Sequence, residues 1–344
     1  MDSAEPIYLT RYFDVAGDRL PSQFLISQSV YVDFQKDLPP AELWKKHDKA
    51  MILFREKNEN IKSMKDLLPR ASSSLLDLKI EIANKILENC HFCERRCGAN
   101  RKKKEPGYCG REAVSRYSAE FLHRGEEPEL VPSHTIFLTG CNFSCIYCQN
   151  WDISTAPQRG IPILPKELAH AISVRRAYGS KNVNFVTPTP HTHMILKILN
   201  ALKVNIPVVW NTNMYYSEEV AKLLEGAVDV YLGDFRYGND GCAKKYSRIP
   251  DYMRNVTRNF KIAYTGGEIL LRQLVLPGHL ECCTRPIVEW VLENIPKIRF
   301  NLMFQYRPEY RVSEFPEINR ILTPDEIQKA LEIIKKSGLE DVLI

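Results

Sequence analysis

Seven of the ten cysteines fall into two groups whose spacing suits metal chemistry. Cys141, Cys145 and Cys148 read C-x3-C-x2-C and follow the short apolar run Thr135-Ile136-Phe137-Leu138-Thr139-Gly140. A loop of that length can curl until all three sulfurs face one centre. Three thiolates suit a soft metal site, either an iron–sulfur cluster or zinc. A structural site normally closes with four protein ligands, so a set of three leaves one position open. The other group, Cys90, Cys93, Cys97 and Cys109, reads C-x2-C-x3-C-x11-C and ends in Gly107-Tyr108-Cys109-Gly110. Four thiols make a closed tetrahedral set. The glycines beside them permit tight turns that bring backbone amides toward sulfur, and such hydrogen bonds stabilise metal-bound thiolates. Zinc, a single iron or an auxiliary [4Fe–4S] cluster all fit this second metal site.

The elements that must position these groups alternate in type. From Ser133 onward, strands are expected at Thr135–Thr139, Val183–Val186, Val208–Asn211, Val228–Asp234, Leu270–Leu276 and Ile298–Phe304. Helices are expected to begin near Pro165, His191, Ser217, Tyr252 and Arg285, and a last one after Thr323-Pro324-Asp325-Glu326, an N-cap followed by proline. Buried apolar strands alternating with helices imply a parallel sheet in an α/β fold. Six units fall short of the eight in a closed barrel. Ligands should therefore gather at the C-terminal ends of the strands of a partial barrel. Those ends are polar: Thr187-Pro188-Thr189-Pro190-His191, Asn211-Thr212-Asn213, Asp234-Phe235-Arg236, Pro277-Gly278-His279 and Gln305-to-Arg311.

In these residues the chain resembles the radical S-adenosylmethionine (SAM) enzymes, whose signature is this three-cysteine spacing with an aromatic residue, here Tyr147, before the last cysteine. The resemblance implies a partial (β/α)6 barrel and a [4Fe–4S] cluster ligated by Cys141, Cys145 and Cys148. It also implies SAM bound at the open iron with Tyr147 near its adenine, and reductive cleavage to a 5′-deoxyadenosyl radical that abstracts hydrogen from a substrate. Many members hold the SAM amino group with a Gly-Gly-Glu-type motif after the second strand. This chain departs from it, leaving carbonyls near Thr187 and the Thr189 hydroxyl as candidate acceptors. Asn211 and Asn213 offer amides to a ribose or a carboxylate, or else cap the turn before Ser217. Asp234 and Arg236 match the Asp-Leu-Lys of glycyl-radical-enzyme activases, with arginine in place of lysine, a change of reach and geometry. In those enzymes this acid and base help hold SAM. His279 is a further candidate SAM or carboxylate contact. No catalytic side chain is singled out.

From Cys90 to about Thr323 the chain is similar to the pyruvate formate-lyase-activating-enzyme-like subgroup. The similarity rests on the N-terminal cysteine module, Cys141-to-Trp151, Val186-to-Thr189, Val209-to-Asn213, Tyr231-to-Asp240 and Leu276-to-Cys283. It implies a protein or peptide substrate, through glycyl-radical activation or another peptide modification, and a reducing partner such as a flavodoxin or ferredoxin. Two other readings remain: a non-catalytic metal-binding scaffold, and a radical SAM enzyme acting on RNA through Arg95, Arg96 and Arg101–Lys104. The preferred reading of the basic run is a solvated loop that partly offsets thiolate charge.

The remaining sequence sets the frame. Of 344 residues, 44% are hydrophobic and 26% charged, as in ordinary soluble proteins, and a net charge of +5 does not by itself imply nucleic acid. No apolar run reaches the roughly 18 residues of a membrane span. The first residues lack the pattern of a signal peptide, so the expected location is cytoplasmic, where cysteines bind metals rather than pair. An open cluster of this kind is expected to be oxygen-sensitive. Residues 1–88 read as a mostly helical region, with helices at Ala41–Lys57 and, capped by Ser72-Ser73-Ser74, Leu75–Asn89. Residues 89–112 form the four-cysteine module and 113–344 the partial barrel, with 111–134 as a link. His123 reads as a surface or packing residue, His191 as a polar pocket residue, and Cys242, Cys282 and Cys283 as packed thiols.

Overall fold

Helix starts in this chain follow side-chain chemistry. The computed structural model describes residues 6–344, so the reading of the first five lies outside it. Two short helices, α1 (Thr10–Ala16) and α2 (Gln23–Ser29), come first. Pro39 and Pro40 open α3 (Pro40–Asn60). Ser74 caps α4 (Leu75–Ile86), its hydroxyl and the Asp77 carboxylate satisfying each other's backbone amides as a capping box. Residues 89–112 follow, irregular except for a 3-10 turn at Arg101–Lys103.

The barrel begins with β1 (Arg116–His123), in the stretch expected to be a link, and β2 (Ser133–Leu138), which pairs with it antiparallel. Then come α5 (Trp151–Ser154), the short β3 (Ile161–Pro162), α6 (Pro165–Ala177), β4 (Asn182–Val186), α7 (Thr192–Ala201), β5 (Val208–Thr212), α8 (Glu218–Leu224) and β6 (Val230–Asp234). The remainder is α9 (Asp240–Ser247), which the sequence reading missed, α10 (Tyr252–Gly266), β7 (Glu268–Leu274), a π-turn at Leu280–Thr284, α11 (Arg285–Asn294), β8 (Arg299–Met303), α12 (Pro324–Ser337) and the short β9 (Val342–Leu343). The sheet order is β3-β1-β2-β4-β5-β6-β7-β8-β9, parallel from β2 onward. The six expected strands are β2 and β4 to β8, and the fold is the expected partial barrel.

Strand side chains alternate between two faces. Ile136, Phe185, Trp210, Tyr231 and Ile269 sit side by side in register and enter the large core shared with the helices. That core is continuous with Phe24, Leu43, Phe54 and Leu78 of α2, α3 and α4. Val209, Val230, Leu232 and Leu270 form a separate small cluster with Leu9 just before α1, Tyr12 of α1 and Leu130. Helix α1 thus plugs the end of the barrel where the strands begin. Its Arg11 and Tyr12 amides, free as in any first helical turn, donate to the Glu268 carboxylate at 2.8 and 2.7 Å. Higher on the same interior face the residues turn polar: Asn211, Asp234, Arg272 and Asn301.

The C-terminal segment is tied in by a buried charge. Arg299 is about 1% exposed and pairs with Asp341 and Glu129, both equally buried. Asp341 also accepts from the Ile7 and Tyr8 amides. Removing one partner of such a set leaves uncompensated buried charge, which costs about 3–5 kcal/mol. Arg299→Met is therefore expected to lower unfolding stability by that amount, measured by urea denaturation; a loss below about 1 kcal/mol would show that the pair behaves like a surface bridge.

Candidate active site

The three-cysteine loop leaves β2 through Gly140. Its φ of +80° is a left-handed value, and a Cβ there would lie 2.7 Å from the Cys109 carbonyl. Only glycine avoids both penalties, and through it the two cysteine groups touch. The loop is then sewn down along its length. Ser144 and Ile146 amides donate to the Ser247 and Tyr246 carbonyls at the end of α9. Arg95, from the four-cysteine module, donates through Nε to the Asn142 carbonyl at 2.9 Å. Asn142, 1% exposed, donates to the Tyr215 carbonyl and accepts from Asn213 Nδ2 at 2.8 Å.

These bonds turn Cys141, Cys145 and Cys148 toward one cavity of about 590 Å³ at the C-terminal ends of the strands. Hydrogen-bond donors reach each sulfur: the Phe143 amide at 3.4 Å from Cys141 Sγ, the Ser247 hydroxyl at 2.9 Å from Cys145 Sγ, and the Ser154 hydroxyl at 3.5 Å from Cys148 Sγ. Burial pushes the Cys141 and Cys145 thiols up, and the Arg236 guanidinium opposes it at both. Tyr147, 4% exposed, lines the same cavity and donates to the Tyr237 hydroxyl at 2.7 Å.

Four strand ends supply the opposite wall. Thr187 and Thr189 follow β4, and Thr187 holds a left-handed φ of +59°, uncommon for a residue with a branched Cβ. Asn211 lies near the end of β5 and Asn213 just past it, Asp234 ends β6 with Arg236 two residues on, and Arg272 rises from β7. Asp234 sits between the two guanidiniums, 2.6 Å from Arg236 and 2.7 Å from Arg272. Burial alone would raise its carboxyl; the flanking Arg272 and Arg236 outweigh that and hold it below the usual range. Arg272 also donates to Asn211 Oδ1 at 2.6 Å.

Of the candidate cofactor contacts read from the sequence, all but His279 meet at this cavity. His279 does not reach it. The turn after β7 carries the imidazole outward, where its ring nitrogens are 2.7 Å from the Pro277 carbonyl and 3.1 Å from the Tyr246 hydroxyl. His191 is not a pocket residue either. It is fully buried, Nε2 contacts the Thr139 carbonyl at 2.9 Å, and burial pulls its imidazole well below the usual range, so it braces the base of the cysteine loop in the neutral form. Conversely, His123 and Glu126, from the stretch expected to be a link, line the cavity. Their hydrogen bond of 3.2 Å and the approach of Glu126 to Arg272 at 3.8 Å make them part of its charge network. A sequence signal existed in the acidic pair Glu126-Glu127, but nothing local pointed it at Arg272. Gln305, Tyr310 and Arg311 complete the rim, with Tyr310 stacked on Trp151 at 5.5 Å.

Cys90, Cys93, Cys97 and Cys109 line a second, very small cavity together with Phe92 and Arg101. Cys109, Tyr108 and Thr189 line both cavities. The Cys90 thiol donates to Cys97 and thereby pulls the latter down to about 5. The module is fixed by a bridge between Cys93 and Tyr216 and by Phe92 stacked on His193. Its basic run is largely engaged internally: Arg95 lies 3.6 Å over the Tyr108 ring, Arg96 pairs with Glu219, Lys102 pairs with Glu88, and Arg101 is fully buried.

A partial barrel of parallel strands thus gathers thiols and charged strand ends around one cavity. A sequence model of the Radical SAM superfamily matches residues 135–291. The uncharacterized protein MJ0674 of Methanocaldococcus jannaschii is 48% identical over 340 residues, covering 96% of this chain and 98% of that one. Residues 135–291 thus carry a radical SAM domain, and the chain belongs to the same family as MJ0674. Among solved structures, SuiB of Streptococcus suis bound to its precursor peptide SuiA is 12% identical with a TM-score of 0.43, over 57% of this chain and 43% of that chain. HydG, a maturase of the [FeFe]-hydrogenase, is 14% identical with a TM-score of 0.43, over 88% and 65%. The chain thus spans less than two thirds of either solved chain. Superfamily membership implies a [4Fe–4S] cluster and SAM. A donor set of three thiols beside a cavity in the size range of small-molecule sites fits both.

The geometry makes a prediction that needs no cofactor. Asn142→Ala removes two buried side-chain hydrogen bonds and should loosen the cysteine loop by about 1–3 kcal/mol. Alkylation of Cys141 and Cys145 in the apoprotein, followed by peptide mass mapping, should then quicken about tenfold or more. Unchanged rates would show that the loop is held without Asn142.

Proposed function

We propose that this protein is a radical SAM enzyme acting on a protein or peptide, by glycyl-radical activation or another peptide modification. The observation that carries the reading is the convergence of three thiols and four polar strand ends on a single cavity. In this reading Cys141, Cys145 and Cys148 hold the [4Fe–4S] cluster. When bound and reduced, the cluster supplies the electron that cleaves SAM into methionine and the hydrogen-abstracting 5′-deoxyadenosyl radical.

The chain's own residues bind and orient. Tyr147 forms an apolar wall for the adenine. The hydroxyl of Thr189 and carbonyls at the strained Thr187 turn accept from the amino group, in place of the absent glycine-rich acidic motif. Asn211 and Arg236 offer donors to the ribose or the carboxylate, with Asp234 keeping the arginine in place. Asn213 serves chiefly through Asn142, because its amide is already committed to that partner. Cys90, Cys93, Cys97 and Cys109 hold a second metal, as zinc, a single iron or an auxiliary cluster. A flavodoxin or ferredoxin is the expected reductant, and the similarity to the pyruvate formate-lyase-activating-enzyme-like subgroup belongs to this proposal. The RNA-directed reading loses support because most of the basic run is engaged within the protein. A passive scaffold has no use for a large cavity walled by partly buried ion pairs.

Protein reconstituted anaerobically with iron and sulfide, reduced and given SAM should form 5′-deoxyadenosine, detected by chromatography. Cys145→Ala should bring product down to the no-protein level. Product formation equal in that variant, or zinc in place of iron in the loop, would refute the assignment. Cys109→Ser should lower total metal without abolishing the iron bound by the loop, measured by elemental analysis; full retention of metal would count against the second site.

A further inference from the structure

Outside both cysteine cavities, one ligand atom from each of Cys242, His279 and Cys282 lies within 4.8 Å of the other two. We infer that these residues form a separate site for a thiophilic divalent ion of the Zn²⁺ type. Tetrahedral zinc with two sulfurs and one nitrogen places its ligand atoms roughly 3.5–3.8 Å apart, so small rotations of the side chains close the set.

Three features prepare the site. Asn239 caps α9 by accepting from the Cys242 amide at 2.8 Å, which sets Cys242 in the first turn. The same carboxamide donates to Cys242 Sγ at 3.3 Å and to the Cys282 carbonyl at 2.7 Å, spanning the two elements that would share the metal. Such outer hydrogen bonds to sulfur fix a ligand and stabilise its thiolate. Second, His279 Nδ1 lies 2.7 Å from the Pro277 carbonyl. A carbonyl only accepts, so Nδ1 carries the proton, and Nε2 in the neutral ring keeps its lone pair for a metal. The Tyr246 hydroxyl beside Nε2 has another acceptor, Glu317, at 2.8 Å and does not depend on the imidazole. Third, a Cβ on Gly238 would lie 2.8 Å from backbone atoms of Cys282 and Cys283, so glycine lets the chain before α9 pass against the π-turn.

Cys283, adjacent in sequence, is buried with Sγ 4.0 Å from that of Cys282. Neighbouring residues cannot easily ligate one ion together, and Cys242 from a different element supplies the second thiolate instead. Cys282 is exposed, so the fourth position faces solvent and can take water or an exogenous donor. On binding, each thiol releases its proton to solvent, and two thiolates with a neutral imidazole balance the divalent charge.

The test uses the full chain, reconstituted anaerobically with its iron and kept reduced. Alkylation by N-ethylmaleimide is followed by peptide mass mapping with and without added Zn²⁺. Zinc should slow modification of Cys282 about tenfold or more. Cys242→Ser and His279→Gln should each abolish that protection and lower bound zinc by one ion per chain, with iron content unchanged as the check on folding. Equal alkylation rates with and without zinc would overturn the assignment. So would protection that survives in both variants, which would mark ordinary thiol–zinc contact at Cys282 alone.

Discussion

The site depends on the hydrogen bonding of one buried amide. Asn142 stands between the first two cysteines of the loop and makes three hydrogen bonds to two distant parts of the chain. Its carboxamide reaches the Tyr215 carbonyl and the Asn213 side chain beyond β5, and its own carbonyl receives Arg95 from the four-cysteine module. A loop that offers three thiols to one centre has few contacts of its own and would otherwise sample many conformations. Buried amide bonds of this kind are costly to leave half made, so the arrangement is close to all-or-none. It also makes the four-cysteine module part of the main site's foundation, as does the close passage of Gly140 past the Cys109 carbonyl.

The charge network above the barrel follows from the same economy of space. Asp234 alone would be costly in this partly buried position. Set between Arg236 and Arg272, it holds both guanidiniums at fixed angles. Arg272 in turn faces Asn211, Glu126 and Glu127. Removing one partner of such a partly buried set leaves the other charge uncompensated, which disfavours alternative arrangements. The wall is therefore rigid before any ligand arrives, which is what a site must be to orient a reactive cofactor. At the opposite end, α1 closes the barrel on an apolar cluster, leaving one functional mouth.

Much of this was legible in the sequence. β2 and β4 to β8 are covered on both faces, so they read as continuous apolar runs, and their boundaries fell within a few residues of those expected. Ser74 and Thr323 announced their helices because capping is local chemistry. β1 was not legible. It is a strand of mixed polarity, Arg116-Tyr117-Ser118-Ala119-Glu120, whose identity comes from pairing with β2 and, at its start, with the two-residue β3. The placement of Glu126 and His123, the burial of His191 and the outward position of His279 likewise depend on contacts between residues distant in sequence. The grouping of Cys242 with His279 and Cys282 is the plainest case, since about forty residues separate the two elements. Spacing spoke clearly only where ligands lie within one loop.

The central claim is that the loop of Cys141, Cys145 and Cys148 presents a cluster with one open iron to the cavity walled by Asp234 and Arg236. Low-temperature electron paramagnetic resonance of the reduced, reconstituted protein, recorded with and without SAM, tests this most directly. The account predicts a [4Fe–4S] signal that changes its g values when SAM is added, and that is lost in Cys148→Ala. A signal indifferent to SAM, or one that persists without Cys148, would contradict it.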